Sequence, residues 1–166
     1  MTRLAIVTGA ARNIGRAIAR ALAADGGAVL LVAKRDRAGL EETAKLVEAA
    51  GGGRIVNIGG KSGHAGAAER AHVIASKAGL VGLTKALAVE FGDRGVTVNC
   101  VVPGEIETER GASAGPIPAH PGGHATLIGR RGRPEEVARV VASLCHPDAG
   151  YMTGQTVHVN GGGYLP

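Results

Sequence analysis

Residues 4–22 combine a buried strand, a glycine-containing turn and a helix. Residues 4–7 form a short apolar run that is too short for a helix and typical of a strand in a parallel sheet. Beyond Thr8 and Gly9 the apolar residues recur at helical spacing: Ile14, Ala17, Ile18, Ala21 and Leu22. Because this arrangement aims backbone N–H groups and the positive end of a helix dipole beyond the strand, it predicts phosphate and hence nucleotide binding. The alternative is a turn that only connects a strand to a helix.

The remaining pattern predicts an α/β fold with a parallel sheet in a single domain, residues 1–166. The composition is 45% hydrophobic but contains only two Tyr, one Phe and no Trp, so Val, Ile, Leu and Ala must build the core. After the first helix we predict further strands at residues 28–33, 54–58, 95–102 and 155–160. We predict further helices at residues 37–50, 71–91 and 134–144, and an irregular stretch rich in Gly and Pro at residues 103–132.

Composition and charge make several function classes improbable. The chain enters its first strand at once and contains no uninterrupted apolar run of roughly 20 residues, so we expect neither a signal peptide nor a membrane partner. Cys100 and Cys145 lie in apolar surroundings without motif spacing, which favours free thiols and a cytoplasmic location. The net charge of +5 is not accompanied by interleaved aromatic residues, so an anionic cofactor explains it better than nucleic acid does.

Basic residues after the second strand indicate which dinucleotide binds. Lys34 and Arg35 stand about 20 residues beyond the glycine turn, where NAD-binding domains carry an acid for the ribose 2′-hydroxyl. A cation at this position suits a 2′-phosphate, and Arg12 in the first turn adds a further positive charge. We therefore predict NADP rather than NAD, against the alternative of a solvated basic turn.

Motifs along most of the chain resemble the short-chain dehydrogenase/reductase family. The TGAARNIG turn at residues 8–15 is similar to the family's TGxxxGxG, with Asn13 in place of the middle glycine. Asn is the non-glycine residue that best tolerates a positive φ, so the turn can survive. The other similar segments are GRIVNIGGKSGHAG (53–66), ASKAGLVGLTKALAVEF (75–91), GVTVNCVVPGEIET (95–108), GRRGRPEEVA (129–138) and YMTGQTVHVNGG (151–162). Among members of the family the chain most resembles 3-oxoacyl-acyl-carrier-protein reductases.

The resemblance implies an NADP-dependent oxidoreductase that reduces a small carbonyl compound or oxidises an alcohol. It assigns cofactor contacts to the following residues: Gly9, Ala11, Arg12, Asn13, Ile14, Gly15, Lys34, Arg35, Lys77, Pro103, Gly104, Ile106 and Thr108. It also implies a homo-oligomer, because the apolar face of the helix at residues 71–91 is normally buried against another subunit. No metal is expected; His120 and His124 are four residues apart, but the surrounding Pro and Gly exclude a helix and make a mobile lid the better interpretation.

Two strand–helix units of the family are missing between residues 48 and 54. Family members have the sheet order 3-2-1-4-5-6-7, so the loss leaves 2-1-5-6-7, a truncated Rossmann-like, three-layer fold of about five strands equivalent to the flavodoxin-like 2-1-3-4-5. A right-handed crossover would then place helix 37–50 on the face opposite the first helix. Alternatively that helix keeps its original face, which leaves a gap beside the first strand.

The catalytic residues of the family are also depleted. Only Lys77 matches; Val73 stands where the family has its tyrosine acid, and Gly60 where it has a serine. His72 has suitable chemistry for an acid, and Ser62 lies two residues beyond the serine position, but a surface histidine and a loop hydroxyl are the simpler interpretations. Three hypotheses therefore stay open: an oxidoreductase with weak or lost turnover, a silent NADP-binding regulatory protein, and an internally deleted product without a function of its own.

Overall fold

The computed structural model describes residues 4–8, 13–24, 28–32, 53–108 and 126–166. The predicted helix at residues 37–50 and both histidines of the predicted lid lie outside them. Five strands are described: β1 (Leu4–Thr8), β2 (Ala28–Val32), β3 (Gly53–Ile58), β4 (Val96–Pro103) and β5 (Thr156–Val159). Four α-helices are described: α1 (Asn13–Ala24), α2 (Ser62–Ala65), α3 (Ala71–Phe91) and α4 (Pro134–Cys145).

All described strand pairs are parallel, as predicted. β1 pairs with β2, and β4 lies between β3 and β5, so the described strands form two hydrogen-bonded groups, β2–β1 and β3–β4–β5. Within each group the neighbours are those of the predicted order 2-1-5-6-7. β1 and β3, however, do not pair with each other in the described part of the chain. Which of the two predicted placements of helix 37–50 applies stays a prediction, because that helix lies outside the described residues.

Helix packing connects the two groups of strands. Helix α1 packs against α4, and α4 packs against β3, β4 and β5. One apolar cluster contains Val7 of β1, Ile18 of α1, Val101 of β4 and Val137 of α4. α4 begins with Pro134 in its first turn, and the Glu136 side chain accepts a 2.7 Å hydrogen bond from the Arg133 N–H; both features are favourable at a helix N-terminus.

β4 forms the centre of the three-stranded group. Every one of its residues is buried, as expected for a strand with neighbours on both edges and helices on its faces. Cys100, in its middle, is free and buried, and Cys145 of α4 is free and half-buried, in agreement with the prediction for the two cysteines. The packing at residue 59 is close: a Cβ there would lie 3.0 Å from the Cys100 sulfur, so neighbouring side chains would have to shift to accept one.

Helix α3 is apolar around its whole circumference but is largely exposed. Thr84 and Ala88 are its only buried residues, and Val89 is 86% exposed. By length and composition alone, the segment Ala71–Arg94 is long and apolar enough to cross a membrane. Charged residues interrupt it, so it contains no uninterrupted apolar run of that length. α3 nevertheless packs against β3 and β4, and the Thr84 hydroxyl accepts a 2.9 Å hydrogen bond from Asn57 of β3.

Candidate cofactor and carbonyl site

Helix α1 begins with a residue whose backbone is in the left-handed region of φ and ψ. Asn13 has a φ of 52°, which confirms that the position requires the backbone freedom of glycine or asparagine. Ile14 and Gly15 follow in the first turn of α1 and are half-buried, with Ile14 packed against the apolar cluster. The remaining predicted contacts around this turn lie outside the described residues: Gly9, Ala11, Arg12, Lys34 and Arg35.

Lys77 lies on α3 beside the loop that follows β3. Its Nζ donates a 3.0 Å hydrogen bond to the backbone oxygen of Ile58, the last residue of β3. Burial lowers the pKa of the Lys77 amine, and the neighbouring Cys100 partly opposes this effect. A Cβ at Gly60 would lie 3.7 Å from the Lys77 side chain, so the loop runs directly over the aliphatic part of the lysine.

The loop after β3 is docked tightly on α3. A Cβ at Gly63 would come within 2.9 Å of the backbone of Lys77 and Ala78, so only glycine fits. Ser62 begins the four-residue helix α2, is half-buried, and lies one residue before this contact. The docking thus brings the segment of Ser62 to α3, next to Lys77.

Val73 and His72 differ in their relation to Lys77. Val73 is half-buried one helical turn before Lys77 and has no group that could donate a proton. His72 is exposed; its backbone oxygen accepts a 2.7 Å hydrogen bond from the Ser76 hydroxyl. Among the described hydrogen bonds none links the His72 side chain to Lys77, so a role for His72 or Ser62 stays a prediction.

The loop after β4 closes the same edge of the sheet. The Lys61 N–H donates to the Pro103 oxygen at 3.0 Å, and the Gly104 N–H to the Val159 oxygen at 3.0 Å. A Cβ at Gly104 would be 2.7 Å from the Cα of Asn160, so this crossing requires glycine. Pro103 is buried at the end of β4.

Ile106 and Thr108 continue this loop. Ile106 forms an isolated parallel bridge with Gly132 and lines a pocket of about 100 Å³ together with Ile128 and Val159. Thr108 is exposed. Ile106 and Thr108 follow the carboxyl end of β4, and the Lys77 amine contacts the carboxyl end of the neighbouring strand β3. Ligands of α/β sheets bind at this edge.

Charged residues surround the loop and the pocket. Glu105 pairs with Lys61 (3.6 Å) and with Arg131 (3.9 Å), which links the loops after β3 and β4. Arg130 donates two hydrogen bonds, of 2.9 and 2.6 Å, to the carboxylate of Glu136. The Arg130 hydrogen bond lowers the pKa of the Glu136 carboxyl to about 2. Within the described ranges no group of three or more His, Cys, Asp and Glu residues could hold a metal ion.

Three aromatic rings near this edge were not predicted from the sequence. His64 of α2 and His158 of β5 lie edge to face with their ring centroids 4.8 Å apart, and Tyr164 lies 5.6 and 5.4 Å from them. Burial, with a smaller contribution from His64, lowers the pKa of His158. The sequence indicates only that His158 lies on the opposite face of β5 from Val157 and Val159, because side chains alternate along a strand.

Two protein-family models match the chain and together show its family. A model described as enoyl-(acyl carrier protein) reductase matches residues 43–163, and one described as short chain dehydrogenase matches residues 3–52. The chain belongs to the short-chain dehydrogenase/reductase family. This confirms the resemblance deduced from the turn at residues 8–15 and the segments around β3, α3, β4 and β5.

Individual relatives agree with this assignment. The chain is 45% identical over 122 residues to the 3-oxoacyl-acyl-carrier-protein reductases FabG of Vibrio cholerae and Pseudomonas aeruginosa, which covers 68% of this chain and 46% of each relative. The crystal structure of the TT0495 protein from Thermus thermophilus is 30% identical and superimposes with a TM-score of 0.83 over 98% of both chains. The chain spans about half the length of the curated relatives that it matches.

Proposed function

We propose that this short-chain dehydrogenase/reductase chain binds NADP(H) at the edge formed by the turn after β1 and the loops after β3 and β4, and that its turnover is weak or lost. The observation that supports this most directly is the contrast between Lys77 and Val73. The amine of Lys77, on α3, contacts the end of β3, from which we expect it to reach a cofactor ribose, whereas Val73 occupies the position from which a proton would be donated.

The described residues fit a dinucleotide in two respects. The positive φ of Asn13 allows a tight turn ahead of α1, whose N-terminal N–H groups suit a pyrophosphate. At Gly104 the backbone passes too close to Asn160 for any side chain, so the loop after β4 packs directly against the residue that follows β5. The preference for NADP over NAD comes from Arg12, Lys34 and Arg35, as argued from the sequence.

The reaction needs a proton that the chain is poorly equipped to supply. Reduction of a carbonyl compound by a nicotinamide cofactor requires a proton donor at the carbonyl oxygen while the cofactor supplies the hydride. Val73 cannot donate one, and Gly60 offers no hydroxyl to the substrate oxygen. The substrate class, a small carbonyl compound or alcohol, comes from the resemblance and from the names of the relatives. A second candidate, favoured by Val73, is a catalytically silent NADP-binding regulatory protein.

Titration with NADPH and NADH, followed by nicotinamide fluorescence, tests the cofactor. We expect tighter binding of NADPH, and a loss of this preference in Lys34→Ser/Arg35→Ser. Arg20→Ser, which removes a cation from an exposed position of α1, is the matched control and should keep the preference. Equal affinities for both dinucleotides in the unchanged chain would contradict the assignment to NADP.

Restoring the missing groups tests the account of turnover. We expect little NADPH oxidation by the unchanged chain on a panel of carbonyl compounds, and a gain in Val73→Tyr/Gly60→Ser. A side chain at residue 60 makes only ordinary contact, 3.7 Å, with Lys77, so the serine fits. Val73→Phe/Gly60→Ser, which has the ring without the hydroxyl, should stay inactive. Robust turnover by the unchanged chain that is lost in His72→Ala would refute the proposal of weak turnover and identify His72 as the acid.

We further propose that α3 mediates homo-oligomer formation in the cytoplasm. The helix exposes the large apolar side chains of Leu83 and Val89 to solvent, and only its Thr84 and Ala88 are buried. Sedimentation analysis should detect an oligomer, and Leu83→Asp/Val89→Asp should dissociate it. Leu165→Asp, which changes an exposed leucine outside the helix, should not. A monomeric unchanged chain would refute this proposal.

A further inference from the structure

The amine of Lys77 is half-buried and has no carboxylate partner among the described ion pairs. Its described acceptor is the neutral carbonyl oxygen of Ile58. The nearby Cys100 thiol does not provide a counter-ion at neutral pH, because burial raises the pKa of that thiol. A buried lysine in such surroundings has its neutral form favoured, and the neutral amine is the nucleophilic form.

Among the described residues, two neighbours of Lys77 lack a group that would cover its amine or hydrogen-bond to it. Gly60, which runs over the lysine side chain, has no side chain of its own, and a Cβ there would still be 3.7 Å away. Val73, one helical turn earlier on the same helix, has no hydroxyl that could hydrogen-bond to the amine. The Lys77 amine also contacts Ile58 at the carboxyl end of β3, the edge of a parallel sheet at which ligands bind.

We propose that Lys77 is a nucleophilic amine that forms an imine with small aldehydes or ketones. This activity goes beyond the proposed function, because it requires no dinucleotide. The Nζ lone pair attacks the carbonyl carbon, and the carbonyl π-electrons and a proton from the amine go to the oxygen, which gives a carbinolamine. Loss of the hydroxyl together with the remaining N–H proton, as water, then forms the C=N bond, so one amine and one carbonyl yield one imine and one water, with no oxidant or reductant.

Reductive trapping at single-residue resolution tests the proposal. The unchanged chain is incubated with propanal and sodium cyanoborohydride at neutral pH without nucleotide, and propylated lysines are quantified by peptide mass spectrometry. Lys85, exposed on the same helix, is the internal comparison. We expect Lys77 to be propylated at least severalfold faster than Lys85, because burial lowers the pKa of Lys77 and so enriches its neutral form. Equal or slower propylation of Lys77 would overturn the proposal.

The pH dependence of the propylation rate is a second measurement. It distinguishes a lysine with a lowered pKa from one that is only accessible. The propylation rate of Lys77 should reach its half-maximal value at a lower pH than that of Lys85; coincident profiles would overturn the proposal. Lys77→Arg should abolish the fast phase, whereas Lys85→Arg should leave it unchanged. Fast labelling without NADPH binding would contradict only the proposed cofactor, whereas NADPH binding with slow labelling would contradict only this inference.

Discussion

The docking of the loop after β3 on α3 predicts a large cost for a single methyl group at residue 63. In Gly63→Ala the new Cβ would lie 2.9 Å from the Ala78 nitrogen and from the Lys77 carbonyl carbon and Cβ. Most of these are backbone atoms of a helix and cannot rotate away, so α2 must move off α3. Overpacking of this kind costs about 1–3 kcal/mol. We expect a loss of about 2 kcal/mol, equivalent to a fall in Tm of roughly 4–8 °C for a chain of this size.

Two further glycine substitutions make this prediction specific. Gly79 is in the interior of α3 with no atom within 4 Å of a Cβ, so Gly79→Ala should stabilise the chain by about 0.5–1 kcal/mol through helix propensity. Gly60→Ala makes contact only at 3.7 Å and should change stability by less than about 0.5 kcal/mol. Urea denaturation followed by far-ultraviolet circular dichroism measures all three. Equal stabilities of the Gly63 and Gly79 variants would show that the loop is not docked as described.

Three other changes test the core, the C-terminal tail and the histidine pair. Val98→Ala removes two methyl groups from a fully buried position of β4 and should cost about 2 kcal/mol in urea denaturation. Asn160→Ala removes a 2.8 Å hydrogen bond to the Tyr164 oxygen; we expect a loss of about 1–3 kcal/mol and faster proteolysis of the tail. Burial and His64 lower the pKa of His158 in the folded state, so the stability that depends on neutral His158 should be complete above about pH 6.5 and be lost as the pH falls below it. His64→Gln should make this loss smaller, and an unchanged pH dependence would exclude the pair as its source.

The sequence predicted the elements whose patterns are long or continuous. The bounds predicted for α3, residues 71–91, are those of the structure, because 21 residues rich in Ala and Leu and without Pro give a strong helical signal. Helix α2 was not predicted, since four residues that include a glycine have little intrinsic helix propensity. It forms where the loop docks on α3, so its cause is a tertiary contact that no local pattern contains.

The candidate site was predictable where it depends on backbone freedom and not where it depends on distant contacts. The conformation of Asn13 follows from which residues tolerate a positive φ, so it could be inferred from the sequence alone. The contact between His64 and His158 joins residues 94 positions apart, and only the pairing of β5 with β4 brings them together. No motif has that separation, so this cluster could not be found from the sequence.

In the described part of the chain β1 and β3 do not pair, and this bears on binding and turnover in different ways. Asn13 begins α1, which packs against β1 and β2, and Lys77 contacts the end of β3, so these two parts of the proposed site are on different groups of strands. The groups are connected by the packing of α1 on α4, and apolar packing is less directional than a hydrogen-bonded strand register. Dinucleotide phosphates need only the turn and tolerate small shifts of one group against the other. Hydride transfer requires the reacting atoms to be aligned to about 0.5 Å. A site divided in this way should therefore lose turnover before it loses binding.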